Sequence, residues 1–234
     1  MLGIVYAIRV TASGPLQFAR VEQEGGSTVQ RAAMQMLYWT IDVSSRLLVK
    51  VGIAANTISW CSVLFAFGAG VTAALGSMGL SALLMTLSSA CDALDGAVAR
   101  VQGTASDAGE VLDAALDRYS ELFFLGGITI YFRFQLPLLL VSLAALSASF
   151  MVSYTTAKAE ALHVEVSRGT MRRTERLFLL IAGAASVPVI SPHSVLLAST
   201  TLIFSLGLVA LFGHISSAMR LIAVAQRLRE RDAS

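Results

Sequence analysis

The chain has 234 residues, of which 56% are hydrophobic and only 14% charged, and its mean hydropathy is +0.72. Water-soluble domains do not have this composition, so the chain reads as a membrane protein. Its apolar stretches are continuous and do not alternate at period two, which disfavours a closed β-barrel. The formal net charge of +2 says little by itself, and no nucleic-acid partner is expected.

Residues 1–27 read as a loosely structured leader. The short apolar start is interrupted by Arg9 and followed by Glu22, Glu24 and a Gly25-Gly26 break, so no cleavable signal peptide is expected. From Thr28 to Lys50, Met34, Leu37, Ile41 and Leu48 recur at near-helical spacing beside Gln30, Arg31, Asp42 and Arg46. That pattern predicts an amphipathic helix. It either lies in the membrane interface with Tyr38 and Trp39 near headgroup level, or packs as an ordinary cytoplasmic helix on the bundle. Residues 1–50 therefore form a leader and juxtamembrane helix ahead of a membrane domain over residues 51–234.

Charges are absent from residues 51–91 and from 177–219, and each run is long enough for two spans of about 20 residues. The first span begins near Val51 and carries Asn56 and Thr57 in its first turns. The second starts near Met78 and runs into an acidic motif. Gly103 and Thr104 make a turn, Asp107 precedes the third span, and that span passes Glu121 to about Tyr131. A fourth runs from Gln135 to Ala157. A basic connection, Lys158 to Arg176, leads to the last two spans, with Pro188 and Pro192 marking the turn between them. The expected fold is all-α with six transmembrane helices.

With the N-terminus inside, every basic residue except Arg133 falls on the cytoplasmic side, out of 17 Lys and Arg. This bias fixes the orientation. It also suits an anionic inner leaflet and places the acidic motif at the cytoplasmic face of the inner membrane. Cys61 and Cys91 lie in predicted spans and read as packing residues, because two thiols give neither a zinc pattern nor a disulfide framework. His163, His193 and His214 are scattered over different segments and read as incidental.

The chemistry concentrates between residues 92 and 117. Asp92 and Asp95 share one helix face, as do Asp113 and Asp117. The midpoint of Asp95 and Asp113 is residue 104 and that of Asp92 and Asp117 is 104.5, so an antiparallel hairpin would bring all four carboxylates to one pocket. Gly96 and Gly109 lie on the same stripes, where a missing side chain admits a backbone or a nucleotide. Intramembrane carboxylates are costly and usually functional, and four converging ones raise each other's pKa unless cations intervene. Oxygen-only ligation points to Mg2+ or Mn2+, and this many carboxylates suits two ions. Two such ions can clamp a diphosphate and align in-line attack. Arg100, one turn beyond Gly96, is placed to hold phosphate or nucleotide. The alternative for any one Asp is a helix-end acid paired with a nearby arginine.

Asp92-x2-Asp95-Gly96-x2-Ala99-Arg100-x8-Gly109-x3-Asp113-x3-Asp117 resembles the signature of the CDP-alcohol phosphotransferase family at every fixed position. Asn56-Thr57 is similar to the family's start of the first span, although Ala55 stands where proline is common. The resemblance implies that Asp92, Asp95, Asp113 and Asp117 are metal ligands and that Asp117 is also the general base for the acceptor hydroxyl. The hydroxyl would attack the β-phosphorus of a CDP-linked lipid and release CMP. Asn56, Thr57, Gly96, Arg100 and Ser106 would surround the CDP moiety. The resemblance also implies a homodimer.

For the acceptor, Ala114 and Arg118 stand where glycerol-phosphate-using members usually carry proline and lysine. The segment Leu112-Asp113-x2-Leu116-Asp117-Arg118-Tyr119 looks more like the inositol-phosphate-using branch. So do Ser153-Tyr154-x2-Ala157-Lys158-Ala159-Glu160 and Gly169-x3-Arg173-x-Glu175-Arg176. Lys158, Arg173 and Arg176 would then bind an acceptor phosphate, or else serve as positive-inside anchors. Glu121, one turn beyond Asp117, reads as a supporting group or as a solvated or paired acid. A transporter would show repeated halves with broken helices, and a membrane prenyltransferase would need a second Asp-rich segment. Neither feature is visible.

Overall fold

A computed structural model describes residues 28–164 and 171–233, and these are helical and connected by short turns. The expected leader, 1–27, and Arg168 and Gly169 of the basic connection lie outside the described residues. The helices are α1 (Thr28–Lys50), α2 (Ala55–Ala74), α3 (Met78–Gln102), α4 (Asp107–Tyr131), α5 (Leu136–Ala161), α6 (Arg173–Ile190) and α7 (Val195–Ala233).

Four of these, α2, α3, α5 and α7, are long and apolar enough to cross a membrane. In α6 the first turn carries Arg173, Glu175 and Arg176, and α4 carries Asp107, Glu110, Asp113, Asp117, Arg118 and Glu121, which lowers their apolar character. At 1.5 Å per residue, the 39 residues of α7 extend about 58 Å. That is roughly twice the hydrocarbon thickness of a bilayer.

Turn chemistry explains the helix ends. Gly103 sits at φ +67°, a left-handed conformation in which a side chain would be strained, and so ends α3. Ser106 caps α4, its Oγ accepting the Gly109 N–H at 3.2 Å. Asp107 and Glu110 in the first turn of α4 oppose the positive end of the helix dipole. Pro188 lies inside α6 and not in the turn that follows. There it removes one backbone hydrogen bond near the helix end, and its ring packs against the position a Gly79 Cβ would take.

The chain forms two compact units. One comprises the residues through Cys61 together with Ala90–Val111, and the other Ser62–Ser89 with Leu112–Ser234. In the first, Trp39 and Ser45 of α1 are buried, and the Gln102 side-chain amide donates to the Ile53 carbonyl at 2.9 Å. That bond ties the end of α3 to the loop before α2.

The second unit packs through small residues, the usual way for helices to approach closely when lipid is the solvent. A Cβ at Gly70 would collide with the Phe123 carbonyl, and one at Gly127 would collide with the Gly70 carbonyl. The backbones of α2 and α4 therefore touch. Ser62 and Ser88 hydroxyls pair at 3.1 Å, and Ser81 donates to the Ala69 carbonyl at 2.7 Å. Around them Met85, Phe124, Leu125, Ile128, Leu180 and Leu206 form the core. The last three helices follow the same rule: Gly213 of α7 meets Ala148 of α5, Gly183 of α6 meets Ser205 of α7, and Ser186 and Thr201 hydroxyls lie 2.6 Å apart.

Candidate active site

Within the first unit, α3 turns Asp92 and Asp95 to one side, three residues apart. Each offers a carboxylate oxygen within 4.8 Å of the other. Asp95 is buried and Asp92 half-buried. The Asp95 carboxylate is fixed at both oxygens: Ser59 of α2 donates to Oδ2 at 2.6 Å, and the Gly96 N–H donates to Oδ1 at 2.5 Å. Burial of a carboxylate requires such partners. Ser59 carries no sequence signal, because an isolated serine in an apolar helix ordinarily bonds back to its own backbone, as Ser59 also does to Ala55 at 3.2 Å.

Of the predicted nucleotide-facing residues, Gly96 and Arg100 share α3 with this pair. A guanidinium nitrogen of Arg100 lies 3.5 Å from the position a Gly96 Cβ would take, so the arginine folds back along the glycine stripe. Asn56 and Thr57 are exposed in the first turn of α2, which begins at Ala55 without a proline. Thr57 N–H donates to the Ala54 carbonyl at 3.1 Å. Ser106 and Gly109 are exposed at the start of α4, and the Ser106 hydroxyl serves there as the helix cap.

In the second unit, α4 carries Asp113 exposed and Asp117 buried. Asp117 sits in a chain of ion pairs. Arg173 Nη2 lies 2.6 Å from Asp117 Oδ1, and Arg173 Nε lies 3.5 Å from Glu121 Oε1. Arg118 Nη1 lies 3.9 Å from Asp117 Oδ2. Arg176, with a side chain 1% exposed, donates from Nη2 to both Glu121 oxygens at 3.0 and 3.3 Å. It also donates from Nη1 to the Met171 carbonyl at 3.4 Å. Glu175 accepts the Arg172 N–H at 2.9 Å and caps α6, which sets the helix phase that turns Arg173 and Arg176 to one side.

Glu121 is therefore a paired, buried acid. Of the three predicted acceptor-binding residues, Arg173 adjoins Asp117, Arg176 is enclosed against Glu121, and Lys158 is exposed near the end of α5. The importance of Glu121 was signalled only by its position one turn after Asp117 and by the spacing of Arg173 and Arg176.

Carboxylate oxygens are the donors that hard divalent cations take. The Asp92 and Asp95 pair, held close and half-shielded, fits Mg2+ or Mn2+.

Comparison with known proteins agrees with this chemistry. Residues 52–226 match the CDP-alcohol phosphatidyltransferase family. The archaetidylinositol phosphate synthase of Methanothermobacter thermautotrophicus is 34% identical over 180 residues, covering 77% of this chain and 87% of that one. The phosphatidylinositol phosphate synthase of Corynebacterium glutamicum is 29% identical over 160 residues, covering 66% of this chain and 73% of its own. Among solved structures, the phosphatidylinositol phosphate synthase of Mycobacterium tuberculosis with CDP-DAG bound superimposes with a TM-score of 0.70 at 26% identity, covering 79% of this chain and 92% of that one. The same enzyme in complex with manganese and citrate gives a TM-score of 0.70 at 27% identity, covering 79% and 88%. The chain belongs to the CDP-alcohol phosphatidyltransferase family and is a metal-dependent membrane transferase of phospholipid synthesis.

Proposed function

We propose that the protein transfers a phosphatidyl group from CDP-diacylglycerol or a similar CDP-linked lipid to the hydroxyl of inositol phosphate, releasing CMP. The observation that carries the acceptor assignment is the 34% identity to an archaetidylinositol phosphate synthase across 77% of the chain. The Asp113-x2-Leu116-Asp117-Arg118 form and the Arg173 guanidinium beside Asp117 support it.

In this reading Asp92, Asp95, Asp113 and Asp117 hold two divalent ions. When bound, the ions neutralise the diphosphate and stabilise the departing CMP. Ser59 keeps the Asp95 carboxylate oriented. Asn56, Thr57, Gly96, Arg100 and Ser106 surround the CDP moiety, Gly96 by leaving room and Arg100 by pairing with phosphate. Asp117 takes the proton from the acceptor hydroxyl as its oxygen attacks the β-phosphorus. Lys158, Arg173 and Arg176 supply positive charge to the acceptor phosphate. Arg173 is the best placed of these, being solvent-accessible beside the base, while Arg176 acts from behind Glu121.

The membrane domain spans residues 51–234 with six helices, α4 and α6 joining the four apolar ones. The site faces the cytoplasm, α1 lies in the interface, and two copies pair as a homodimer. Cysteine-accessibility labelling at the turns and light scattering of the detergent-solubilised protein test these assignments. The reaction itself is tested by supplying CDP-diacylglycerol with Mn2+ and comparing CMP release for inositol phosphate, inositol, glycerol phosphate and serine. Release that is fastest with inositol phosphate is expected; preference for glycerol phosphate would overturn the acceptor.

A further inference from the structure

The ion pairs of the second unit are unequal, and the inequality has a use. Arg176 is fully enclosed and bonded to both Glu121 oxygens and to the Met171 carbonyl, so it is fixed. Arg173 is 24% exposed and shared, short to Asp117 at 2.6 Å and long to Glu121 at 3.5 Å. The carboxylate it occupies is the one assigned as metal ligand and base. Asp117 cannot hold a divalent ion with that oxygen while a guanidinium is ion-paired to it.

Resting on the function proposed above, we infer that Arg173 is an exchangeable cation that couples metal binding to acceptor binding. In the absence of metal it neutralises Asp117. When a divalent ion takes the Asp117 carboxylate, Arg173 is displaced but stays tethered by Glu121, which Arg176 holds in place. The freed fork of N–H donors is then presented beside the base, where it pairs with the phosphate of the acceptor. The converse follows by linkage: an acceptor phosphate that captures Arg173 frees Asp117 for metal. Glu121 is thus a positioning residue, acting through Arg173.

The test uses purified full-length protein and the electron paramagnetic resonance signal of free Mn2+ to measure Mn2+ affinity, alone and with inositol phosphate. Arg173→Gln removes the competitor and should tighten Mn2+ binding roughly three- to thirtyfold, the range expected for loss of a partly buried ion pair. It should also abolish the mutual enhancement between Mn2+ and inositol phosphate that the parent protein is expected to show. Arg173→Lys keeps the charge but lacks the fork that spans two carboxylates. It should fold normally and lose most of that enhancement. Unchanged or weaker Mn2+ binding in Arg173→Gln, or full enhancement in both variants, would overturn the inference. If the parent protein releases CMP while these affinities do not move, the coupling fails and the function stands. Should no acceptor yield CMP, the function fails whatever Mn2+ does.

Discussion

Substituting Glu121→Gln keeps the shape of the side chain and removes its charge. Arg176 would then remain 1% exposed with only a neutral amide and the Met171 carbonyl as acceptors. Removing one partner of a buried ion pair typically costs about 3–5 kcal/mol, because the remaining charge is left uncompensated. A domain of this size shifts by roughly 2–4 °C per kcal/mol, so the melting temperature should fall by roughly 6–20 °C. Arg176→Met should cost less, about 1–3 kcal/mol, because Glu121 keeps Arg173 at 3.5 Å. The double variant should be more stable than Glu121→Gln alone. Thermal unfolding of the purified protein in mild detergent, followed by circular dichroism, measures all three. A Glu121→Gln melting temperature within about 2 °C of the parent, or a double variant worse than the sum of the singles, would refute the reasoning.

Asp117→Asn should abolish CMP release while CDP-lipid binding persists, as judged by equilibrium binding of the nucleotide lipid; near-normal turnover would remove Asp117 as the base. Asp92→Ala and Asp113→Ala should each weaken Mn2+ binding by about tenfold or more, the loss of one carboxylate ligand being worth at least about 1.4 kcal/mol. Ser59→Ala deletes the 2.6 Å bond to Asp95 and should lower turnover several-fold without unfolding the chain, about 1 kcal/mol being the usual worth of such a bond. Gly127→Val should prevent assembly of the membrane domain, because a side chain there meets the Gly70 backbone, whereas Gly126→Ala has nothing within 4 Å and should be silent in a stability assay.

Much of this was legible in the chain. The charge-free run from residue 51 to 91, the Gly103-Thr104 turn and Asp107 placed α3 and α4, because a turn glycine and an acid at a helix start are local signals that do not depend on tertiary context. The Asp92 and Asp95 pairing followed from helical spacing for the same reason. What stayed hidden depends on partners distant in sequence. Ser59 reaches Asp95 from 36 residues away and Glu121 reaches Arg176 from 55 residues away, and no spacing rule connects them. Pro188 misled as a turn marker, because a proline near a helix end loses only one backbone bond and can pack, here against the position of a Gly79 Cβ. The charges that α4 carries from Asp107 through Glu121 and the charged first turn of α6 are what separate a six-helix expectation from the four helices apolar enough to cross a membrane.

The most direct measurement is CMP release by the purified protein from CDP-diacylglycerol. It should require both a divalent cation and inositol phosphate, stop on chelation, and resume on adding Mn2+ or Mg2+. CMP release that is indifferent to chelation, or none with any hydroxyl acceptor, would contradict the assignment of the Asp92 to Asp117 carboxylates to metal-assisted phosphatidyl transfer.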